Sequence, residues 1–325
     1  MVGSCGMLRP MLQELLDSGT PILSDGGIET RIMFETQLAL DPHIQVAALL
    51  EQREGREALR SIYAEYVDVA RAHGLPAIAG TPTFRASRRY VERAGRGGGE
   101  AVRRLNAEAV ALLGEVRAAS EHEPVFVAGV VGPYGDAYEP ADCLGHLDGA
   151  DYHAEQVSAL VEAGADLLFA PTFPSIEEAH GVAIAMSTSG LPYAISFVLD
   201  QRGRILDGTY LHAAIERIDD HVLPAPAFYS ISCVHPSVVR TALTDLSVTS
   251  SRAASRLREV KANGSSLTPD QLILLDHAVS DPPETFGEAM DAIGRDFDVP
   301  ILGGCCGTDA QHLAALARRL LPRAV

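Results

Sequence analysis

The feature that most constrains this chain is a rhythm: eight short runs rich in strand-forming residues, each followed by a longer amphipathic stretch. The runs are 21–24, 77–80, 125–131, 166–170, 193–198, 228–232, 257–262 and 300–303. The stretches between and after them are 61–72, 101–118, 152–163, 176–186, 211–218, 237–243, 285–293 and 310–321, with apolar residues at helical spacing. Strands that alternate with helices of this length pair in parallel through helical crossovers. Eight such units in 325 residues predict an α/β fold, a single (β/α)8 TIM-type barrel, occupying the whole chain.

Punctuation supports the count. Ser175 and Asp309 stand where helix N-caps belong, and Gly164 and Gly190 stand where helices close. The run at 257–262 is the least strand-like, because Arg258, Glu259 and Lys261 make it read equally well as an exposed helical turn. Gly97, Gly98 and Gly99 invite a phosphate-loop reading, but no strand directly precedes them and no Lys-Ser/Thr pair follows, which predicts a loop. Residues 1–10 carry no secretory pattern and read as a loose leader, so a cytoplasmic location is expected.

Composition narrows the partners. Forty-three acidic against 26 basic residues give a formal charge of −17, which repels phosphate backbones and anionic lipid, so neither nucleic acid nor membrane is expected. Mean hydropathy is only +0.09 and no apolar run approaches the ~20 residues of a membrane span. Five cysteines are too few and too uneven for a disulfide framework, which turns attention to thiol chemistry or a metal.

Cys305 and Cys306 lie between glycines in Gly303-Gly304-Cys305-Cys306-Gly307-Thr308, just after the last strand run. In a barrel this is the catalytic rim, and the flanking glycines let both sulfurs turn toward one point. Cys233 ends the sixth run and reaches the same rim. Three thiolates leave one tetrahedral position open, the pattern of a catalytic zinc, and soft sulfur favours Zn2+ over magnesium or calcium. An incoming thiol at the open position would lose its proton despite a free pKa of ~8.5. Cys5 and Cys143 have no such context, and His235 is a weaker candidate, better suited to hydrogen bonding near the site than to ligation.

At these residues the chain resembles the homocysteine S-methyltransferase family, zinc-dependent barrels that methylate the homocysteine sulfur. The resemblance also runs through Asp25-Gly26-Gly27-Ile28-Glu29-Thr30, Thr81-Pro82-Thr83-Phe84-Arg85-Ala86-Ser87, Gly132-Pro133-Tyr134-Gly135-Asp136 and Asp207-Gly208-Thr209. It implies that Cys233, Cys305 and Cys306 hold zinc and are catalytic. It further implies that Asp25, Gly26, Gly27, Glu29, Thr83, Arg85, Thr172 and Ser232 border the substrates, a small-molecule thiol acceptor and a methyl donor.

Three departures matter. Pro171 stands where the family carries a glutamate for the acceptor's ammonium group, which leaves Asp25 or Glu29 to supply a carboxylate. Pro82 and Ser232 each replace an asparagine. A chain without tryptophan, with Arg85 where betaine users have tyrosine, disfavours a betaine cage and favours a sulfonium donor resembling S-methylmethionine. Two other functions fit the same residues: a zinc- or thiol-binding barrel without methyltransferase activity, and a hydrolase pairing Cys233 with His235.

Overall fold

The structure, a computed structural model, describes residues 5–267, Gln271, His277 and residues 279–320. Residues 1–4 of the expected leader and Leu321 of the last expected helix lie outside these. Eight parallel strands close into one barrel in sequence order: β1 (Ile22–Ser24), β2 (Ala77–Gly80), β3 (Val125–Val130), β4 (Leu167–Phe173), β5 (Tyr193–Phe197), β6 (Phe228–Ser232), β7 (Leu257–Ala262) and β8 (Ile301–Gly304). Closure is made by β1 pairing with β8, Ile22 opposite Ile301 and Leu23 opposite Leu302. Among the described residues no helix is long and apolar enough to cross a membrane.

The helices, in chain order, are α1 (Cys5–Ser18), α2 (Glu29–Glu35), α3 (Arg53–Ala72), α4 (Arg88–Arg93), α5 (Gly99–Ser120), α6 (His146–Glu162), α7 (Ile176–Ser187), α8 (Leu211–His221), α9 (Pro236–Thr249), α10 (Ser251–Arg256), α11 (Pro283–Phe297) and α12 (Ala310–Leu320). The expected caps do their work. Ser175 Oγ accepts from Glu177 N, and Asp309 Oδ1 accepts from the amides of Gln311 and His312. Gly164 and Gly190 take positive φ, +90° and +70°, just past α6 and α7. The leader expectation is corrected from Cys5 onward: this segment is α1, and its Leu12 and Leu16 are buried.

Two apolar layers follow from strand alternation. Residues on the outer face of the strands pack against the helices and form the larger core, while Ile22, Ile78, Phe126, Leu167, Phe228 and Ile301 point into the barrel. Leu12 and Leu16 join that inner cluster and plug the barrel's N-terminal end. Toward the C-terminal end the filling turns polar. Ser24, Ser196, Ser230, Ser232 and Glu259 are all buried there, and Lys261 reaches the same layer. Glu259 and Lys261 of β7 therefore turn to the interior, and the β6–β7 register shifts between Tyr229 and Ser230.

Candidate active site

Three loops bring the sulfurs together. Cys233 follows β6, and its N–H donates to Lys261 O at 3.1 Å while Asn263 Nδ2 holds its carbonyl at 3.0 Å. Cys305 follows β8, with its N–H on Ala262 O at 2.8 Å, and the Cys306 carbonyl accepts from Gly264 N at 2.9 Å. Gly27 makes this packing possible, since a Cβ there would lie 2.7 Å from the Cys305 carbonyl oxygen. The sulfurs of Cys233, Cys305 and Cys306 all lie within 4.8 Å of one another, the one such grouping of potential metal ligands among the described residues. A tetrahedral zinc with Zn–S near 2.3 Å needs sulfurs about 3.8 Å apart, so the three donors fit that ion with little movement.

The sulfurs border a cavity of about 350 Å³ at the C-terminal mouth of the barrel. Asp25, Gly26, Gly27, Glu29, Arg85 and Thr172 line it, as the sequence led us to expect. Thr83 and Ser232 do not. Thr83 is fully buried, donating to Val130 O at 2.7 Å and bonded to Thr81 Oγ1 at 2.6 Å. Ser232 points into the barrel, where its Oγ lies 2.7 Å from Ser196 Oγ. Both hydroxyls bond to neighbouring groups of the scaffold. His235 also turns away: Nδ1 meets Ser237 Oγ at 2.8 Å and Nε2 meets Asp281 Oδ2 at 2.9 Å, so it caps α9 and neither ligates nor serves Cys233 as a base.

The residue the sequence reading overlooked is Lys261. Its Nζ makes a short ion pair with Asp25 Oδ1 and a 3.2 Å contact with Ser24 Oγ, while Gly80 N holds Asp25 Oδ2 at 2.7 Å. Burial works against the Lys261 ammonium, but Asp25 and Glu259 more than offset it, and its pKa is raised. Glu259, deeper in the barrel, is pushed up to about 7 by burial, with Lys261 opposing. Tyr138, also overlooked, enters from the loop after β3; burial, then the neighbouring cysteines, raise its phenol well above the ordinary value. Within the sulfur cluster, hydrogen bonds from Cys233 and Cys306, followed by the field of Lys261, favour the thiolate at Cys305.

Strain gathers at the same place. Among the described residues five non-glycines have positive φ, and three of them, Gln45 (+47°), Thr172 (+58°) and Cys233 (+58°), border this cavity. The left-handed region is costly for a β-branched residue such as Thr172, and such strain concentrates at working sites. Thr172 adopts it within the irregular stretch of β4 between Ala170 and Phe173.

The model of the family described as homocysteine S-methyltransferase matches residues 22–320. The chain belongs to the homocysteine S-methyltransferase family. Among relatives, homocysteine S-methyltransferase YbgG of Bacillus subtilis (strain 168) is 24% identical over 329 residues, covering 95% of this chain and 98% of that protein. Betaine–homocysteine S-methyltransferase 1 of Bos taurus is 22% identical, covering 95% of this chain and 74% of its own. The metallated form of the homocysteine methyltransferase MmuM from Escherichia coli superposes with a TM-score of 0.77 at 23% identity, over 95% of this chain and 99% of that one. The homocysteine S-methyltransferase fold is thus this chain's fold, and the sulfur cluster sits at the C-terminal rim of its barrel.

Proposed function

We propose that this member of the homocysteine S-methyltransferase family is a zinc-dependent enzyme that moves a methyl group from a small sulfonium donor, resembling S-methylmethionine, to the sulfur of homocysteine or a closely related thiol. The observation that carries the reading is the convergence of three cysteine sulfurs from two distant stretches of chain on the wall of one cavity. Three soft ligands with an open side are the donor set of a catalytic zinc, and a metallated form of MmuM supports the same reading. When bound there, zinc supplies a Lewis acid that makes an incoming thiol acidic at neutral pH.

The chain's own residues do the rest by placement. Cys233, Cys305 and Cys306 fix where the acceptor sulfur enters, and the loops behind them are held by backbone hydrogen bonds to β7 and its following turn. Aromatic residues in the lining, among them Phe84, Tyr138 and Phe169, suit a cationic methyl donor. A sulfonium leaves as a neutral thioether, so alignment of the acceptor sulfur, methyl carbon and leaving sulfur is the main requirement, and no general acid is needed. The His235 geometry gives the hydrolase alternative no support.

The test is an assay of methionine formed from homocysteine and S-methylmethionine. Zinc-loaded protein should turn over, and Cys305→Ala should lose both bound zinc and turnover. Full turnover by metal-free protein would overturn the reading.

A further inference from the structure

Charged groups in the cavity fall into two kinds, those whose polar atoms are all engaged and those with polar atoms still open. Asp25 has both oxygens engaged, one by Lys261 and the other by Gly80 N. Asp136 sits half-exposed, accepting from Tyr138 N at 2.9 Å and from Arg85 Nη2 at 3.5 Å. Glu29 receives no hydrogen bond from any other described residue. Arg85 keeps most of its five donors free, its Nε buried without an acceptor. Thr172, 3% exposed, has a buried Oγ1 that likewise finds no partner.

Glu29 and Arg85 carry opposite charges, line one cavity and feel each other's field, yet form no ion pair. Buried polar groups are ordinarily satisfied, so several unsatisfied groups around one space describe the ligand that belongs there. We infer that Glu29, Arg85 and Thr172 form a clamp for a zwitterionic amino acid head group, with Glu29 taking the ammonium and Arg85 the carboxylate of the thiol acceptor. Thr172 Oγ1 completes the ammonium's shell as an acceptor. Pro171 beside it adds no charge. The inference rests on the thiol-acceptor reading above and names the residues that choose the acceptor.

The field agrees with this division. Burial raises the Glu29 pKa, and the nearby Cys305 and Asp25 add to the effect. A cation at that position removes the penalty. On the other side, Arg85 lies with its Cζ 5.0 Å from the Tyr90 ring centre and its Nη2 on Asp136, and its Nη1 has no hydrogen-bond acceptor among the described residues.

The experiment is calorimetric titration of the zinc-loaded protein with three thiols: homocysteine, 4-mercaptobutyrate, which lacks the ammonium, and 3-mercaptopropylamine, which lacks the carboxylate. Wild type should bind homocysteine about tenfold or more tightly than either analogue. Glu29→Gln should erase the preference over 4-mercaptobutyrate and keep the preference over 3-mercaptopropylamine. Arg85→Gln should do the reverse. Variants that weaken all three thiols alike, or leave both preferences intact, overturn the clamp. If wild type binds all three thiols equally, the clamp falls while the thiol-acceptor reading stands; if it binds none, both fall.

Discussion

Lys261 shows how one side chain can serve both the scaffold and the site. Its ammonium sits in a largely buried layer because Asp25, buried just past the end of β1, sits across from it. Removing one partner of such a pair leaves an uncompensated charge, a loss of about 3–5 kcal/mol. Lys261→Met should therefore lower unfolding stability in urea by about that amount, and adding Asp25→Asn should restore part of it. A loss below about 1 kcal/mol would show that Asp25 is satisfied by other means. Lys261 was not legible in the sequence, since a lysine inside a short strand reads as exposure and barrel closure alone turns it inward. The cysteines were legible because adjacent thiols between glycines have few structural uses. Thr83 and Ser232 came from the family resemblance alone, and which way a hydroxyl near a strand end faces depends on packing that a motif match does not reveal.

Among the elements, β2, β6 and β7 have the bounds their residue patterns predict, and the remaining strands differ by a residue or so, except β4. That strand continues to Phe173 through an irregularity that its proline hides. Helix α1 escaped notice because its role is tertiary, two leucines closing the barrel floor. The charges of β7, which made it ambiguous, give it a measurable signature. Glu259 has a folded pKa of about 7 against 4.5 for the ordinary group. A raised acid pKa means that stability is fully present below about pH 4.5 and is lost as pH rises through about 7. The loss amounts to about 3 kcal/mol at most. Urea unfolding from pH 4.5 to 8 should therefore show the wild type losing stability relative to Glu259→Gln as pH rises. Parallel curves for the two proteins would contradict the assignment of Glu259 to the barrel interior.

At the scale of the whole molecule, the fold is a holder. Eight strands bring segments more than 70 residues apart to one rim, a plug closes the other end, and the cavity over the sulfurs is lined by loops from several strands. The account depends on that rim holding a single zinc by three sulfurs with a position free for a thiol. X-ray absorption at the zinc edge measures this directly. Zinc-loaded protein should show three sulfur neighbours at about 2.3 Å, rising to four when homocysteine is added. Fewer than three sulfurs, or a sulfur count unchanged by homocysteine, would contradict it.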